Sequence, residues 1–347
     1  MNQSSRIYVA GHRGLVGSAL CRVLRAKGYT NLIARTHVEL DLNVKSGVEK
    51  LFEEEKPEYV LLAAAKVGGI YANYTYPVDF LLSNLQIQNN VMEAAWRTGV
   101  KGLLFLGSSC IYPRGAPQPI KEECLLTGPL EPTNQAYAIA KIAGIELCKA
   151  YNRQYGMRYL GVMPTNLYGP NDNYDLQISH VLPALIRKFH LAKLAALGDF
   201  EGILRDEACH GKIPDEIMAG LKEKGGPRVR LWGTGAPYRE FLHVDDMAEA
   251  CLFLMERLEE LFSSRSTTLD LPLINIGCGK DSTIREMAEI VAGVVGFTGT
   301  VEWDSSKPDG TPRKLLDVSC MSELGWKAGI PLEKGLRITY EEYLKSF

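Results

Sequence analysis

A tyrosine and a lysine lie four positions apart in the segment Tyr137-Ala-Ile-Ala-Lys141. On a helix this spacing places the phenol and the ammonium one turn apart on the same face. A neighbouring ammonium favours the phenolate and lowers the tyrosine pKa from about 10 toward neutral pH. The pair is therefore predicted to pass a proton to or from a substrate oxygen while a hydride moves.

A serine and a cysteine precede this pair in Gly107-Ser108-Ser109-Cys110, at the end of an apolar run. Ligands of open α/β sheets bind where the strands end, so Ser108 is expected to donate to the same substrate oxygen. Taken by itself, Cys110 is more typical of a small buried residue than of a reactive group. The Tyr-x-x-x-Lys spacing is common in helices, and its weight comes from its position after this loop and after a glycine-rich loop.

That glycine-rich loop is Gly11-His-Arg13-Gly14-Leu15-Val16-Gly17, between an apolar run and the first predicted helix. Glycine lets the backbone turn tightly and approach a pyrophosphate, which then lies at the helix N-terminus. Three glycines alone are weak evidence, but at a strand-to-helix junction they are typical of a dinucleotide site. The cofactor is therefore assigned to Gly11, Arg13, Gly14, Leu15, Val16 and Gly17; the alternative is that the glycines serve only the turn and packing.

The end of the second predicted strand distinguishes NADP from NAD. An NAD site usually has an acidic residue there, whereas an NADP site places arginine near the 2′-phosphate. This chain has Arg35 at that point and Arg13 in the glycine loop, and a guanidinium offers a planar fork to phosphate oxygens. NADPH is the predicted cofactor, with Asp41 and Leu42 beside the adenine and Lys141 at the nicotinamide ribose; solvated surface arginines are the alternative.

Apolar runs alternate with helical periodicity through the first half of the chain. Such runs indicate strands buried on both faces, as in a parallel sheet covered by helices. The predicted strands are 6–10, 31–35, 58–64, 102–107 and 159–164. This alternation predicts an α/β protein with a doubly wound parallel Rossmann sheet.

The second half of the chain has a different rhythm. The elements predicted there are helices 179–194, 214–222, 244–262 and 283–295 and strands 229–232 and 273–276. The stretch 195–226 has no strong period; it could shade the nucleotide site or be an inert surface excursion, and the second interpretation is favoured because long insertions in exposed loops cost little. A smaller C-terminal α/β unit is expected: residues 1–168 plus 238–279 would bind NADP, and 169–237 plus 280–347 the substrate.

The composition of the whole chain excludes several function classes. The 39 basic and 41 acidic side chains leave a net charge of −2, so no nucleic-acid partner is expected. The eight cysteines form neither a Cys-x-x-Cys pair nor a zinc pattern, which predicts reduced thiols and no metal site. No run approaches the roughly 18 apolar residues of a membrane span, and the beginning of the chain lacks a signal-peptide stretch. The predicted location is the cytoplasm.

The order of these motifs resembles the extended branch of the short-chain dehydrogenase/reductase superfamily, as do the segments Met163-Pro164-Thr-Asn166-Leu167-Tyr-Gly-Pro170 and Arg239-Glu-Phe-Leu-His243-Val-Asp-Asp246. Five further segments resemble the GDP-L-fucose synthase family: Ala63-Ala-Ala-Lys-Val-Gly-Gly69, Gly107-Ser-Ser-Cys-Ile-Tyr-Pro113, Leu130-Glu-Pro-Thr-Asn134, Ala138-Ile-Ala-Lys-Ile-Ala-Gly144 and Ser306-Lys-Pro-Asp-Gly-Thr-Pro-Arg-Lys314. The resemblance covers nearly the whole chain. It implies NADPH-dependent conversion of GDP-4-keto-6-deoxy-D-mannose to GDP-L-fucose, by epimerisation at C3 and C5 and then reduction at C4.

The resemblance also implies an acid and a base. Both epimerised carbons flank the C4 ketone, and inversion needs a base on one face of the sugar and an acid on the other. Cys110 corresponds to the family's base, and a thiol of pKa about 8.5 becomes usable when a nearby cation stabilises the thiolate. His180 corresponds to the acid, although a histidine at a helix start can simply face solvent. Ser108 and Tyr137 would hold the enolate oxygen.

Other residues are candidates for binding. Besides the glycine loop, the cofactor candidates are Ala64, Leu106, Ser109, Pro164, Asn166, Leu167 and His180. Lys188 and Arg239 are candidate cations for the substrate diphosphate, Trp232 offers a face to guanine or sugar, and the resemblance implies a nucleotide contact at Asp309. Each of these four is, taken singly, equally compatible with an ordinary surface residue.

Two departures from the family and four alternatives stay open. The family often has arginine where this chain has His37, and 195–226 is longer than the family's link. A nucleotide-sugar 4-epimerase, dehydratase or 4-ketoreductase could use the same scaffold, but a dehydratase would be expected to carry carboxylates at positions 109 and 110. An NADP-binding sensor without chemistry would be expected to have a broken Ser/Tyr/Lys set.

A homodimer is also predicted. The helix over 137–150 is apolar almost all round, which indicates that it is covered on two sides. One side would contact the sheet. The other would pair with a second subunit, together with the helix over 80–96, in a two-fold interface.

Overall fold

The computed structural model describes residues 1–223, 225–263, 272–307 and 309–347. Its strands are β1 (Ile7–Ala10), β2 (Leu32–Ile33), β3 (Tyr59–Leu62), β4 (Gly102–Leu106), β5 (Tyr159–Pro164), β6 (Asn166–Tyr168), β7 (Arg228–Trp232), β8 (Tyr238–His243), β9 (Leu273–Ile276), β10 (Asp281–Thr283), β11 (Thr300–Asp304) and β12 (Arg313–Lys314). Its helices are α1 (Leu15–Ala26), α2 (Lys45–Glu55), α3 (Ile70–Thr75), α4 (Pro77–Arg97), α5 (Gln135–Tyr155), α6 (Val181–Ala196), α7 (Phe200–His210), α8 (Asp215–Leu221), α9 (Val244–Glu256), α10 (Leu258–Ser263), α11 (Ile284–Val295), α12 (Ser319–Glu323) and α13 (Leu332–Leu344).

Six parallel strands form the main sheet in the order β2-β1-β3-β4-β5-β9. β2 and β3 lie on opposite sides of β1, so the chain reverses its direction of winding there. Ligands of such sheets bind in the crevice that this reversal opens at the carboxyl ends of the strands. The doubly wound Rossmann sheet predicted from the sequence is confirmed.

Helices cover both faces of this sheet. One apolar core lies between the sheet and α2, α4 and α5, and a second between the sheet and α1 and α9. All residues of β1, β4, β5 and β9 are buried, which is why these segments are near-continuous apolar runs in the sequence. Cys148 of α5 is completely buried in the first core.

The remaining strands form two smaller sheets beyond β5. β8 pairs with β6, β10 and β12, and β7 pairs with β11. A third apolar core joins β7 to α6, α11 and α13. Thr283 and Glu286 form a capping box at the start of α11, and the His243 ring accepts from the Asp245 N–H at the start of α9.

The interpretation of residues 195–226 as an inert surface excursion is wrong. This stretch contains α7 and α8 and contributes Ile203 and Leu221 to the third core. Arg187 of α6 is completely buried, and its guanidinium donates to the Asp206 carboxylate of α7 at 2.7 Å. Because a buried charge needs a partner, α7 is a structural part of this region.

One helix differs from the sequence prediction. The segment 244–262 is divided at Arg257, whose guanidinium lies 3.9 Å from the centre of the Phe253 ring. In the single chain, Ile139 of α5 is 42% exposed. Among the described residues, no helix combines the length and the apolar character that crossing a membrane requires.

Candidate active site

The glycine loop lies where the sheet reverses its winding. Gly11 has a φ of +84°, in the region that favours glycine, and a Cβ there would lie 2.7 Å from the Ala64 nitrogen. A Cβ on Gly17 would lie 2.0 Å from the Gly11 carbonyl oxygen. These two glycines are therefore required by close approach of the backbone.

Gly14 has a different environment. It is exposed and directly precedes α1, where no side chain caps the free N–H groups of the first turn. A Cβ there would meet only the Gly11 oxygen, at 3.5 Å, so the protein leaves its outer face open. An uncapped, open helix N-terminus fits the pyrophosphate of a dinucleotide.

Arg13 and Arg35 lie on the same side of this loop. Hydrogen bonds from Thr36, and then the charges of Arg35 and Arg13, lower the pKa of Glu39. Arg13 is exposed, whereas Arg35 forms an ion pair with Glu55. Both guanidiniums fit a 2′-phosphate at this end of the sheet, and Arg35 shares its charge with a carboxylate.

The adenine-side candidates follow β2. Asp41 accepts from the Asn43 N–H at 2.9 Å and lies 3.8 Å from the exposed His37 ring. Leu42 is packed into the first core, and its carbonyl accepts from the Asn90 amide. The Leu42 side chain therefore faces away from solvent, while Asp41 remains accessible beside His37.

The other cofactor candidates lie at the carboxyl ends of neighbouring strands. Ala64, Leu106, Ser109 and Pro164 lie at or just beyond the ends of β3, β4 and β5. Asn166 and Leu167 belong to β6, and the Asn166 amide donates to the Glu240 carbonyl at 2.8 Å. The parallel sheet therefore brings residues that are 100 positions apart to one edge.

Tyr137 and Ser108 meet at the start of α5. Burial, and then the neighbouring Cys110, raise the pKa of Tyr137, while a hydrogen bond with Ser108 lowers it. The expectation that Lys141 lowers this pKa is wrong for this structure. The Lys141 ammonium lies over the ring, 5.7 Å from its centre, rather than beside the oxygen. Tyr137 is therefore a neutral phenol, which suits a proton donor.

Lys141 is buried beneath Tyr137, with 3% of its surface exposed. Its ammonium donates to the Leu106 carbonyl at 2.7 Å and lies 4.8 Å from the centre of the Phe105 ring. Burial lowers the pKa of Lys141 to about 7. This lysine is thus held at the end of β4, next to the crevice.

Cys110 is a partly exposed thiol with polar neighbours. It lies in a short 3-10 turn in which its N–H donates to the Ser108 hydroxyl. The Asn134 amide donates to its sulfur at 3.2 Å, and the Lys314 ammonium lies 3.7 Å from the same atom. The sulfur thus has a cation and an amide donor as neighbours and is not fully buried, so the interpretation as a small buried residue is not supported.

His180 lies at the start of α6, within reach of the Lys314 charge. It directly precedes α6, and the loop before it is held by the Gly69 N–H, which donates to the Ile178 carbonyl. Removal of solvent by the surrounding protein, and then the Lys314 charge, lower the pKa of His180. Lys314 therefore acts on both Cys110 and His180.

The four substrate-binding candidates lie around β7 and β8. The Lys188 ammonium donates to the Arg230 carbonyl at 3.4 Å, and burial lowers the pKa of Lys188. Trp232 is 64% exposed at the end of β7. Burial lowers the pKa of Arg239, while Asp309 raises it.

Asp309 has a structural contact as well. Its two carboxylate oxygens accept from the Thr234 N–H at 2.9 Å and the Thr234 hydroxyl at 2.7 Å. It stabilises the turn after β7 and leaves its remaining lone pairs toward solvent. The neighbouring Pro308 lies outside the described residues.

Sequence reasoning missed Asn134 and Lys314. Both close segments that supported the family resemblance, Leu130–Asn134 and Ser306–Lys314, but neither was given a role. The available signal was the need for a cation near a catalytic thiol. Only the pairing of β12 with β8, where Lys314 lies opposite Arg239, shows which lysine meets that need.

Comparisons with known proteins agree with this geometry. Residues 7–270 match the NAD dependent epimerase/dehydratase family. GDP-L-fucose synthase 1 of Arabidopsis thaliana is 53% identical over 345 residues, which cover 99% of this chain and 95% of that protein.

Two solved structures are similar over the whole chain. A GDP-6-OMe-4-keto-L-xylo-heptose reductase from C. jejuni has a TM-score of 0.91 and 41% identity, covering 100% of this chain and 99% of that one. MlghC, a GDP-mannoheptose C4 reductase from Campylobacter jejuni with NADP bound, has a TM-score of 0.85 and 40% identity, covering 99% of each chain. On these similarities the chain belongs to the NAD dependent epimerase/dehydratase family and, within it, to the GDP-L-fucose synthase family.

Proposed function

We propose that this enzyme converts GDP-4-keto-6-deoxy-D-mannose to GDP-L-fucose with NADPH, by epimerisation at C3 and C5 and reduction at C4. The family carries the substrate class and the cofactor. The observation that carries the two-step chemistry is the Cys110 sulfur, which lies beside the Ser108–Tyr137 pair and within 3.7 Å of the Lys314 ammonium. A simple ketoreductase has no need of a thiol at this position.

The first task of the site is to polarise the ketone. Ser108 and Tyr137 are proposed to donate hydrogen bonds to the C4 oxygen, where negative charge develops when a proton leaves C3 or C5. Both groups are fixed before substrate arrives, because Ser108 caps the 3-10 turn and Tyr137 is part of α5. One oxygen-binding pair thus serves both epimerisations.

The second task is proton exchange on the two faces of the sugar. The Cys110 thiolate removes the carbon-bound proton and becomes a thiol, and His180 delivers its proton to the opposite face. Exchange with water then restores the thiolate and the protonated imidazole for the second carbon. The Lys314 ammonium and the Asn134 amide contact the sulfur and orient it for this step.

The third task is reduction. NADPH supplies the hydride when bound. The glycine loop and the N-terminus of α1 would hold its pyrophosphate, Arg13 and Arg35 its 2′-phosphate and Lys141 its ribose, while Tyr137 protonates the C4 oxygen. Residues 1–168 plus 238–279 would thus form the NADP-binding unit and 169–237 plus 280–347 the GDP-sugar unit, with Lys188, Trp232, Arg239 and Asp309 at the nucleotide.

Hydrogen–deuterium exchange tests this assignment. Incubation of the enzyme with GDP-4-keto-6-deoxy-D-mannose in heavy water without NADPH is expected to place deuterium at C3 and C5. Cys110→Ser should lose most of the exchange because an alcohol is a far weaker base at neutral pH. Lys314→Met should reduce the exchange, because it removes the ammonium that contacts the Cys110 sulfur.

Tyr137→Phe is the comparison variant for the reduction step. It removes the proton donor to the C4 oxygen but leaves Ser108 and the thiol in place, so it should suppress NADPH oxidation more strongly than deuterium exchange. Mass spectrometry of the recovered sugar and the absorbance of NADPH report the two steps separately. If wild-type enzyme incorporates no deuterium, the epimerisation proposal fails.

A second candidate function is reduction of a GDP-4-keto-heptose without epimerisation. The observation in its favour is the full-length similarity to two GDP-heptose reductases, with TM-scores of 0.91 and 0.85. The exchange experiment separates the two candidates. A reductase alone would oxidise NADPH and leave C3 and C5 unlabelled.

A homodimer and a cytoplasmic location complete the proposal. The outer face of α4 and α5 carries exposed apolar side chains, including Val78, Leu82 and Ile139. Such a patch is typical of a subunit interface. All eight cysteines are unpaired thiols, which supports a reducing compartment.

A further inference from the structure

A pocket at the outer end of the substrate-binding region contains two of the candidate residues. Lys188 of α6 and Trp232 of β7 line it on one side. On the other side lies α8, with Glu216 and Ile217 facing the same space. This pocket is therefore shared between the region that resembles the family and the stretch 195–226, which departs from it.

The position of α8 is set by close packing. A Cβ on Gly220 would lie 3.0 Å from the Arg228 carbonyl oxygen, so the helix backbone approaches β7 directly. Leu221 is buried in the third core, and Asp206 of the preceding helix is bonded to the buried Arg187. The wall that α8 forms is thus a built element of the pocket.

Glu216 is the only carboxylate among the described residues that line this pocket. The two arginines there are already paired, since Arg228 and Arg230 each bind both Glu223 and Glu302. Across the described part of the chain, Glu216 has no hydrogen bond and no ion pair within 4 Å. Its two oxygens are free to accept from a ligand.

Guanine matches this arrangement of groups. Its Watson–Crick edge has two adjacent donors, the N1–H and the 2-amino group, and a carboxylate has two acceptor oxygens in the same plane. Trp232 offers an aromatic face for stacking and Lys188 a cation for the diphosphate. Adenine, uracil and thymine lack the paired donors.

We propose that α8 forms the base-recognising wall of the nucleotide pocket and that Glu216 selects guanine by accepting from its N1–H and 2-amino group. The inference rests on the proposed function, because it assigns a GDP-sugar to this site. On this inference the stretch 195–226, which is longer than the family's link, contributes to nucleotide specificity. A site that binds a donor through a carboxylate discriminates strongly against a base without that donor.

Calorimetric titration of the full chain with GDP, IDP and UDP tests the proposal. IDP has the guanine ring system without the 2-amino group, so the ratio of the IDP and GDP dissociation constants reports that single contact. A hydrogen bond to a charged group predicts a wild-type ratio of roughly tenfold or more. Glu216→Ala should bring the ratio close to one. Asp215→Ala, which removes the neighbouring carboxylate on the same helix, should leave it unchanged.

The ratio of the IDP and GDP dissociation constants is also insensitive to the change in net charge that the Glu216→Ala substitution causes. Loss of a carboxylate beside Lys188 strengthens binding of every diphosphate to the same extent, so it cancels between GDP and IDP. A Glu216→Ala variant with the wild-type ratio would overturn the inference alone. Wild-type protein that binds UDP as tightly as GDP would overturn the proposed function as well.

Discussion

In this site the pKa values of single side chains depend more on burial than on neighbouring charges. Tyr137 lies close to the buried ammonium of Lys141, yet its pKa is raised, because both groups lose water. Desolvation disfavours the charged form of each. The result suits a reductase, since a neutral phenol can protonate the oxygen that accepts the hydride's negative charge.

Lys141→Met should change how stability depends on pH. The unfolded lysine binds a proton below about pH 10.4, whereas the folded one, with a pKa of about 7, is largely neutral above that value. Between these limits the unfolded state binds more protons, so wild-type stability gains from this group as pH rises and is lowest at and below pH 7. The stability of Lys141→Met relative to wild type should therefore be greatest near pH 7 and decrease toward pH 10.

Urea denaturation across that pH window measures this difference. Loss of the hydrogen bond to the Leu106 carbonyl adds a constant that does not vary with pH. Lys149→Met, on the same helix, is the control and should show no trend. A flat difference for Lys141→Met would mean that this lysine is charged in the folded enzyme.

At the scale of elements, the glycine loop contains glycines with two different roles. Gly17 touches the carbonyl of Gly11 within the protein, whereas Gly14 faces the crevice. Glycine at the first kind of position serves packing, and at the second it serves approach of a ligand. The two roles are adjacent in sequence and can be tested separately.

Gly17→Ala is expected to lower the stability of the protein, whereas Gly14→Ala is expected to weaken its binding of NADPH. The added Cβ of Gly17→Ala would lie 2.0 Å from a backbone oxygen, and overpacking of this kind costs about 1–3 kcal/mol. Its melting temperature should fall. Gly14→Ala should keep the wild-type melting temperature, because its Cβ meets nothing closer than 3.5 Å, and should bind NADPH roughly tenfold more weakly.

Thermal melting and fluorescence titration with NADPH provide the two readouts. Equal destabilisation by both variants would contradict the assignment of Gly14 to the pyrophosphate. So would unchanged NADPH affinity in a stable Gly14→Ala protein. Gly99→Ala is a weaker comparison, since its positive φ of +71° causes strain without any contact.

At the scale of the whole molecule, one buried residue of β8 contacts both the end of the main sheet and the segment that precedes α12. Glu240 of β8 is completely buried and accepts from the Gly279 N–H at 2.7 Å and the Leu316 N–H at 3.1 Å. Its carbonyl accepts from Thr165 and Asn166, at the end of the main sheet. This residue therefore positions the segment that brings Lys314 to Cys110.

The proposed dimer is tested at the same scale. Leu82→Glu combined with Ile139→Glu places two charges on the exposed apolar face of α4 and α5, where the wild-type side chains are 52% and 42% exposed. Burial of unpaired charge disfavours association, so the double variant should be monomeric. Size-exclusion chromatography with light scattering measures the mass. Leu204→Glu, at a 62% exposed leucine of α7, should remain dimeric, and a wild-type monomer at all concentrations would reject the interface.

Local pattern determined much of this protein. Buried parallel strands are apolar throughout, helix starts carry caps and dinucleotide loops carry glycine, because each of these features depends on residues close in sequence. The Rossmann sheet, the glycine loop and the Tyr137–Lys141 helix were predictable for that reason. The family resemblance added Cys110 and His180, which periodicity alone left open.

Only the tertiary structure decided how distant residues act on one another. Lys314 lies 204 positions from Cys110, and its place at the sulfur depends on the pairing of β12 with β8. The raised pKa of Tyr137 depends on solvent excluded by several elements at once. The buried role of 195–226 follows from one fully enclosed arginine that requires a carboxylate from α7. Desolvation and long-range pairing are properties of the packed molecule, so a linear pattern does not contain them.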